Sequence, residues 1–262
     1  MQVPESITST QAIKKIGHIT PSCNTALEHI TSLVTAPLSD RVSNHFTRIP
    51  VGTISLSDHD RGQFTPDVML GAARLLTDAA MDVVLWNGTS ACWNGTQADI
   101  EICESITRET AVVASTTILA QYDVFENLGI RRFGLAVPYT DDVTVRSIET
   151  FGEAGYEAVS SANLGLTVGR EMAYVPFDDI RRLIRSADSP DAECVVVVCT
   201  GLPAAFVVDE MEKELRKPIF DSVLVTLWEG LRKADLATPV TGWGQLLREG
   251  VRGRGPSVSA TT

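Results

Sequence analysis

The sequence predicts an α/β protein of two pseudo-symmetric lobes, each a mostly parallel four-stranded sheet flanked by helices, with the functional site in the cleft between the lobes. Three observations lead to this prediction. Short apolar runs alternate with segments of helical period, which is typical of βαβ units and parallel sheets. Two of the runs, VVLW and VVVV, are apolar on both faces, as in central strands covered by helices on each side. The third observation is a weak internal repeat.

Seven apolar runs are predicted to be strands. They are KKIGHIT (14–20), FTRIPV (46–51), MDVVLWN (81–87), TAVVAST (110–116), RRFGLAV (131–137), AECVVVVC (192–199) and KPIFDSV (217–223). Between them, apolar residues recur at helical spacing, which predicts helices. These helices lie at 67–80, 96–109, 143–154, 177–187 and 204–215.

The internal repeat has two parts. IGHITPS at 16–22 resembles FGLAVPY at 133–139, because each has glycine second and proline just after its end. DVVLWNG at 82–88 resembles ECVVVVC at 193–199, because each begins with an acid and runs into a loop that opens a helix. The offsets, 117 and 111 residues, are similar.

The repeat predicts how the chain divides. The first lobe comprises residues 13–116 plus 222–248, and the second lobe comprises residues 117–221. The polar, glycine-rich residues 249–262 are predicted to be a disordered tail. Ligands bind beyond the carboxyl ends of strands in open α/β sheets. A pseudo-two-fold axis therefore brings four loops to one cleft, and these loops lie at 21–25, 87–91, 138–142 and 199–203.

Charge and hydropathy exclude several classes of partner. The net charge is −11, from 22 Lys and Arg against 33 Asp and Glu. This charge repels nucleic acids and anionic membranes, although a pocket can still bind a small anion. No apolar run approaches the roughly 20 residues of a membrane span, and residues 1–15 lack the apolar core of a signal peptide. We expect a cytoplasmic protein without nucleic-acid or membrane partners, and a homo-oligomer is compatible with the sequence.

Cysteine and histidine patterns predict neither a metal site nor a disulfide framework. The five cysteines are odd in number, irregularly spaced and without a CxxC pair, and the four histidines show no HxH or HExxH spacing. The stretch GWGQLLREG lacks the strand and the later glycine of a dinucleotide fingerprint, and no GxxxxGKS/T phosphate loop occurs. We therefore expect no nucleotide cofactor and no metal.

Two of the four loops offer groups that can carry chemistry. In CTGLPA, Cys199 ends an apolar strand beside a helix start, where free N–H groups lower a thiol pKa and bind anions. Cys199 is either a proton donor or nucleophile, or a cysteine packed as a small hydrophobe. In NGTSA, the hydroxyls of Thr89 and Ser90 and the N–H groups near Gly88 suit a carboxylate or an enediolate. The alternative is an ordinary turn.

The other two loops offer polar side chains. Asn24, after Pro21 in PSCNT, contacts a ligand or caps the following helix, and Ser22 is an alternative cap. Tyr139 donates a phenolic hydrogen bond into the cleft or is an aromatic residue at its rim. Candidate apolar wall residues are Leu85, Trp86, Trp93, Leu202 and Pro203.

Five motifs, taken together and in order, resemble the aspartate/glutamate racemase superfamily, in the branch that contains maleate isomerase and arylmalonate decarboxylase. They are GHITPSCNTALE, DVVLWNGTS, LGIRRFGLAVPYTDDV, LGLTVGREMA and VVVVCTGL. The resemblance covers 16–248 and implies a two-lobed fold that works without a cofactor. Racemases of the superfamily use one cysteine per lobe. Maleate isomerases keep both, whereas arylmalonate decarboxylases keep the second and have glycine in a GTS loop at the first.

Carried onto this chain, the resemblance implies one catalytic residue, Cys199. It implies eight substrate-binding residues: Pro21, Asn24, Gly88, Thr89, Ser90, Tyr139, Thr200 and Gly201. The first loop, PSCNT, is closer to the isomerases, and the second loop, NGTS, is closer to the decarboxylases.

Two other cysteines are candidates for a second thiol. CNTA at Cys23 is similar to the catalytic CNTA of glutamate racemases, but that motif follows the strand matching 82–87, so we interpret the match as coincidental. Cys92 lies four residues past Gly88, one helical turn away if the helix has begun. We favour a packing role for Cys92.

The sequence therefore predicts a cofactor-independent lyase that decarboxylates a small, substituted malonate-like dicarboxylate. Decarboxylation builds negative charge and then needs one proton. An oxyanion loop stabilises the charge, and one thiol supplies the proton. Racemisation ordinarily needs an acid and a base on opposite faces, and Gly88 supplies neither. The alternatives are a maleate-type cis–trans isomerase and a catalytically inactive dicarboxylate-binding protein.

Overall fold

The computed structural model describes residues 13–236 and 238–249. Two four-stranded sheets have the same strand order, β2-β1-β3-β4 and β6-β5-β7-β8, and every ladder is parallel. The strands are β1 (Lys14–Pro21), β2 (Val42–Ile49), β3 (Val83–Trp86), β4 (Val113–Thr116), β5 (Arg132–Val137), β6 (Glu157–Asn163), β7 (Cys194–Val197) and β8 (Ile219–Asp221). The predicted two-lobed α/β class is confirmed. Of the predicted tail, residues 250–262 lie outside the described residues.

Helices connect the strands and cover both faces of each sheet. The α-helices are α1 (Leu27–Thr35), α2 (Asp58–Arg61), α3 (Pro66–Thr77), α4 (Ala91–Asn94), α5 (Thr96–Thr110), α6 (Thr117–Leu128), α7 (Asp141–Glu153), α8 (Gly169–Met172), α9 (Phe177–Ala187), α10 (Ala205–Leu215), α11 (Ser222–Lys233) and α12 (Gln245–Glu249). Two short 3₁₀ segments lie at Ala36–Leu38 and Gly62–Phe64. Within the described residues, no helix has the length and hydropathy needed to cross a bilayer.

The sequence repeat corresponds to repeated backbone contacts. The Asp82 carboxylate accepts the N–H of Lys15 at 2.8 Å, and the Glu193 carboxylate accepts the N–H of Arg132 at 2.7 Å. Each acid thus ties the start of one central strand to its neighbour. At the opposite ends, the N–H groups of residues 87 and 198 donate to the carbonyls of residues 19 and 136, both at 2.9 Å. Residues that are related by the offsets of 111 and 117 therefore make equivalent hydrogen bonds in the two sheets.

Sequence patterns missed one strand and several helices. Strand β6, EAVSSAN, has no fully buried residue, so it lacks the apolar run of a covered strand. Helix α11 is buried at every residue from Ser222 to Leu231. Its first two residues, Ser222 and Val223, lie in the run KPIFDSV, which was predicted to be a strand. Helix α1 was expected only as the helix that follows PSCNT, without bounds, and helix α6 was not predicted.

Helices α6 and α11 each follow one sheet and cover the other. Phe125 of α6 packs against Phe133 of β5, with ring centroids 5.2 Å apart. Gly230 of α11 lies so close to β3 that a β-carbon there would come within 2.7 Å of Leu85. We therefore propose that residues 13–116 plus 222–248 form the first lobe and residues 117–221 the second.

Candidate active site

The loops after β1, β3, β5 and β7 meet in one cavity. It is lined by Pro21, Cys23, Asn24, Val51, Ile54, Phe64, Trp86, Gly88, Thr89, Ser90, Trp93, Tyr139, Gly169, Met172, Cys199, Thr200 and Gly201. All nine site residues predicted from the sequence are among them. The cavity encloses about 410 Å³, part of which is open to solvent, and this volume is within the usual range of small-molecule sites. The site therefore suits a small ligand in this conformation.

Gly88 and Cys199 occupy equivalent positions in the two lobes. Each lies two residues beyond the end of its central strand, β3 or β7. Because the two strands hold the same place in sheets of the same order, the pseudo-symmetry pairs these residues across the cavity. The position that carries a thiol in the second lobe carries no side chain in the first.

Cys199 is held as a buried, protonated thiol. Burial raises its pKa to about 11, although a hydrogen bond from Tyr139 and backbone N–H groups of Gly201 and Leu202 lower it. The S–H group donates to the Met172 sulfur at 3.5 Å. A thiol in this state is suited to give a proton rather than to attack as a thiolate.

Ser222, the first residue of α11, fixes the backbone of the cysteine loop. Its hydroxyl donates to the carbonyl of Val197 at 3.0 Å and accepts the N–H of Cys199 at 3.1 Å. One side chain therefore holds both the last strand residue and the cysteine that follows it.

Thr89 and Tyr139 join the two lobes at the cavity wall. Their hydroxyl oxygens are 2.6 Å apart, and both side chains are buried. Burial raises the Tyr139 pKa well above its ordinary value, so the phenol stays protonated. Tyr139 also interacts with Cys199 and lowers the pKa of its thiol, so the phenol contacts the glycine loop and influences the thiol of the other lobe.

Asn24 and Thr200 contact each other as well as the cavity. Asn24 Oδ1 accepts the N–H groups of Ala26 and Leu27 at 3.0 and 3.1 Å, so it caps the start of α1. Asn24 Nδ2 donates to Thr200 Oγ1 at 3.2 Å, and Thr200 Oγ1 donates to the carbonyl of Asn87 at 2.9 Å. Both interpretations of Asn24 are thus compatible with one geometry, and Thr200 ties the second lobe to the first.

A buried histidine continues this network behind the cavity. Asn87 Nδ2 donates to His18 Nδ1 at 3.2 Å, so the proton of the neutral ring lies on Nε2 and is donated to Asn44 Oδ1 at 3.0 Å. Burial lowers the His18 pKa to about 4. A neutral imidazole therefore anchors the residue that precedes Gly88.

The indole of Trp86 fills the space beside Gly88. A β-carbon added to Gly88 would lie 2.0 Å from Cζ2 of Trp86. The indole Nε1 donates to Ser90 Oγ at 3.3 Å. Phe64 packs against both Trp86 and Trp93, with centroid distances of 5.9 and 6.1 Å.

Sequence reasoning identified part of the apolar wall. Trp86 and Trp93 line the cavity as expected, whereas Leu85, Leu202 and Pro203 lie outside its wall. The missed residues are Val51, Ile54, Phe64, Gly169 and Met172. The last two lie in LGLTVGREMA, a motif that the resemblance had already marked. The first three belong to the segment after β2, where a polar composition hid the apolar contacts.

The two candidates for a second thiol differ in position. Cys23 lines the cavity, and Cys92 does not. Burial raises the pKa of both thiols. Cys92 is fully buried in the first turn of α4, in agreement with the packing role favoured for it. Within the described residues, no group of three or more His, Cys, Asp or Glu side chains is arranged to hold a metal ion.

Comparison with known proteins gives one family match. Residues 46–247 match the family model described as arylmalonate decarboxylase. The chain is 23% identical to a maleate isomerase of Nocardia farcinica over 246 residues, covering 90% of this chain and 96% of that protein. It is 26% identical to an arylmalonate decarboxylase of Bordetella bronchiseptica over 181 residues, covering 68% and 75%.

A solved structure reproduces the fold. A Nocardia farcinica maleate cis-trans isomerase mutant with a covalently bound succinylcysteine intermediate superposes with a TM-score of 0.85 at 20% identity, covering 92% of this chain and all of that one. The arrangement of two lobes around one cleft is therefore shared.

Proposed function

The chain belongs to the arylmalonate decarboxylase family, and from that premise we propose that it is a cofactor-independent decarboxylase of a small, substituted malonate-like dicarboxylate. The observation that carries the proposal is the pairing of a protonated Cys199 with Gly88 at the equivalent position of the other lobe. Decarboxylation needs one proton donor after the carbon–carbon bond has broken. A racemase-type reaction needs a second acid–base group, and Gly88 supplies none.

The cavity residues can be assigned to the steps of this reaction. Thr89, Ser90 and the N–H groups of their loop hold the carboxylate that the product retains. The other carboxylate lies against apolar side chains, where the loss of its hydration favours departure. The carbon–carbon bond breaks, carbon dioxide leaves, and the electron pair forms an enediolate on the retained carboxylate.

Proton transfer completes the cycle. The S–H group of Cys199 gives its proton to the α-carbon, which yields the monocarboxylate and a thiolate. The thiolate then takes a proton from water, which leaves hydroxide. The phenol of Tyr139 and the N–H groups of Gly201 and Leu202 stabilise the transient thiolate, because hydrogen bonds to a charged form favour it.

Maleate-type isomerisation is the second candidate, and two observations favour it. The N. farcinica maleate isomerase is matched over 90% of this chain, and Cys23 contributes a second thiol to the cavity. Attack on a double bond requires a thiolate, however, and burial raises the pKa of both Cys23 and Cys199. The protonated resting thiol therefore favours the decarboxylase.

Turnover in D₂O distinguishes the two reactions. A panel from malonate to phenylmalonate includes dimethylmalonate, which has no exchangeable α-hydrogen. We expect carbon dioxide release and one deuterium on the product α-carbon. Inert malonates together with conversion of maleate to fumarate would exclude the decarboxylase.

Cysteine variants identify the thiol that donates the proton during turnover. Cys199→Ala is expected to abolish turnover, whereas Cys194→Ala, a buried cysteine of β7 outside the cavity, is the matched control. Cys23→Ala is expected to retain activity in a one-thiol enzyme. Ligand binding without turnover in the unaltered protein would instead support the inactive dicarboxylate-binding protein.

A further inference from the structure

We propose that Trp86 determines the substrate range of this site, because its indole occupies the first-lobe position that mirrors the thiol of Cys199. The consequence for substrates rests on the proposed function, whereas the steric contact between Trp86 and residue 88 is independent of it. The sequence offered Trp86 only as one of five candidate wall residues, and the family match assigns no role to it.

The steric argument begins at Gly88. A β-carbon there would lie 2.0, 2.3 and 2.7 Å from the Trp86 ring atoms Cζ2, Cε2 and Cη2, where real β-carbons essentially never approach within 3.0 Å. All three atoms belong to the outer ring of the indole. Gly88 is therefore required while Trp86 keeps this position, whatever the chemistry at residue 88.

Trp86 has little freedom to move aside. It ends β3, a strand paired with both β1 and β4, and only 1% of the residue is exposed. Phe64 packs on its ring, and Ser90 accepts its N–H group. A group larger than hydrogen at residue 88 must displace a packed indole, which is costly in a close-packed interior.

The pseudo-symmetry relates the position of Gly88 to that of Cys199. Cys199 stands two residues beyond β7, and Gly88 stands two residues beyond β3. One face of the ligand site therefore presents a thiol and the opposite face presents the indole. Trp86 excludes a second acid–base group and limits the volume open to a substituent on the reacting carbon.

The indole also orients a neighbouring hydroxyl. Because Trp86 Nε1–H donates to Ser90 Oγ, the Ser90 hydrogen remains available, and it has no acceptor within residues 13–236 and 238–249. Ser90 can then donate to a ligand carboxylate. Trp86 thus acts as a positioning residue for Ser90 as well as a wall.

A stability cycle tests the steric claim without any substrate. We expect Gly88→Cys to lower the melting temperature by about 5 °C or more. In a Trp86→Phe or Trp86→Leu background, which lacks the outer ring, the same change should cost much less, so the two effects are non-additive. Trp93→Ala is the control, since atoms of Trp93 are not among the three nearest to a β-carbon at residue 88, and it should give no rescue. A Gly88→Cys variant as stable as the unaltered protein would overturn the claim.

Ligand affinities test whether Trp86 limits the size of the substituent that the site accepts. In the full-length chain carrying Cys199→Ala, calorimetry gives Kd for methylmalonate and for phenylmalonate without turnover. We expect Trp86→Leu to shift the ratio of the two Kd values toward phenylmalonate by about tenfold or more. An unchanged ratio in a folded variant would overturn the proposal. Size-dependent binding without turnover in the unaltered protein would support the role of Trp86 and refute the decarboxylase.

Discussion

Acidification should weaken this protein through His18. The ring is buried and neutral, donates to Asn44 and accepts from Asn87. Burial, and to a smaller extent the neighbouring His45, lowers its pKa from 6.5 to about 4. In the unfolded chain His18 takes up a proton below pH 6.5, whereas in the folded protein it does not until about pH 4. The unfolded state therefore gains protons first, and stability falls as pH falls across this window.

The size of the effect follows from the two pKa values. Each pH unit between them changes the free energy of unfolding by about 1.4 kcal/mol. Acidification from pH 6.5 to about 4 therefore removes about 3 kcal/mol. Asp99 and Asp221 act in the opposite sense, because burial raises the pKa of each from 3.8 to about 7. Their contribution is present below pH 3.8 and is lost as the pH rises to about 7.

The assay compares the unaltered protein with His18→Gln by urea unfolding at several pH values between 4 and 7, a range that spans the His18 window. Both proteins contain the same buried carboxyls, so the difference between them isolates His18. We expect the advantage of the unaltered protein to grow by about 3 kcal/mol as the pH rises across the window. A difference that does not change with pH would refute the assignment of a neutral, buried imidazole.

Three further substitutions test the inter-lobe contacts and the buried carboxyl. Thr200→Val removes the partner of the Asn24 amide and the Asn87 carbonyl and should lower the free energy of unfolding in urea by about 1–3 kcal/mol. Thr200→Ser, which keeps the hydroxyl, should retain most of that stability, and equal stability of the two variants would contradict the network. Tyr139→Phe removes the hydroxyl that contacts Thr89, and we expect kcat to fall about 100-fold. An unchanged kcat would show that this hydroxyl has no role in turnover. Asp99→Asn should be least stable relative to the unaltered protein at acid pH. As the pH rises, the difference in free energy of unfolding should shift in favour of the variant by up to about 4 kcal/mol, because a neutral Asn side chain has no proton to lose. Parallel pH profiles of the two proteins would contradict the raised pKa of Asp99.

The sequence was most informative where strand ends set the geometry. Each central strand is marked by an apolar run, and the loop at its end enters the cleft. The repeat placed Gly88 and Cys199 at equivalent ends of the two runs, and the family resemblance assigned their roles. The Asp82 and Glu193 positions, which the repeat also singled out, lie at equivalent contacts with the neighbouring strand.

The rest depended on contacts that sequence spacing does not encode. Trp86 was predicted as a wall residue, but its overlap with the Gly88 side-chain position depends on the orientation of the ring. Cys23 was dismissed as a catalytic candidate on motif position, yet it lines the cavity, because loop side chains have no periodicity that reveals their direction. Phe64 was missed because it follows a polar loop.

The pH dependence of kcat/KM for malonate decarboxylation tests the central claim most directly, because kcat/KM reports the ionisation of the free enzyme. If the Cys199 thiol is the proton donor, kcat/KM is constant above neutral pH and falls only as the pH approaches the Cys199 pKa of about 11. The rate should disappear in Cys199→Ala. A kcat/KM that rises with pH as the thiol ionises would show that the thiolate is the reactive form, and it would contradict the role of Cys199 as a proton donor.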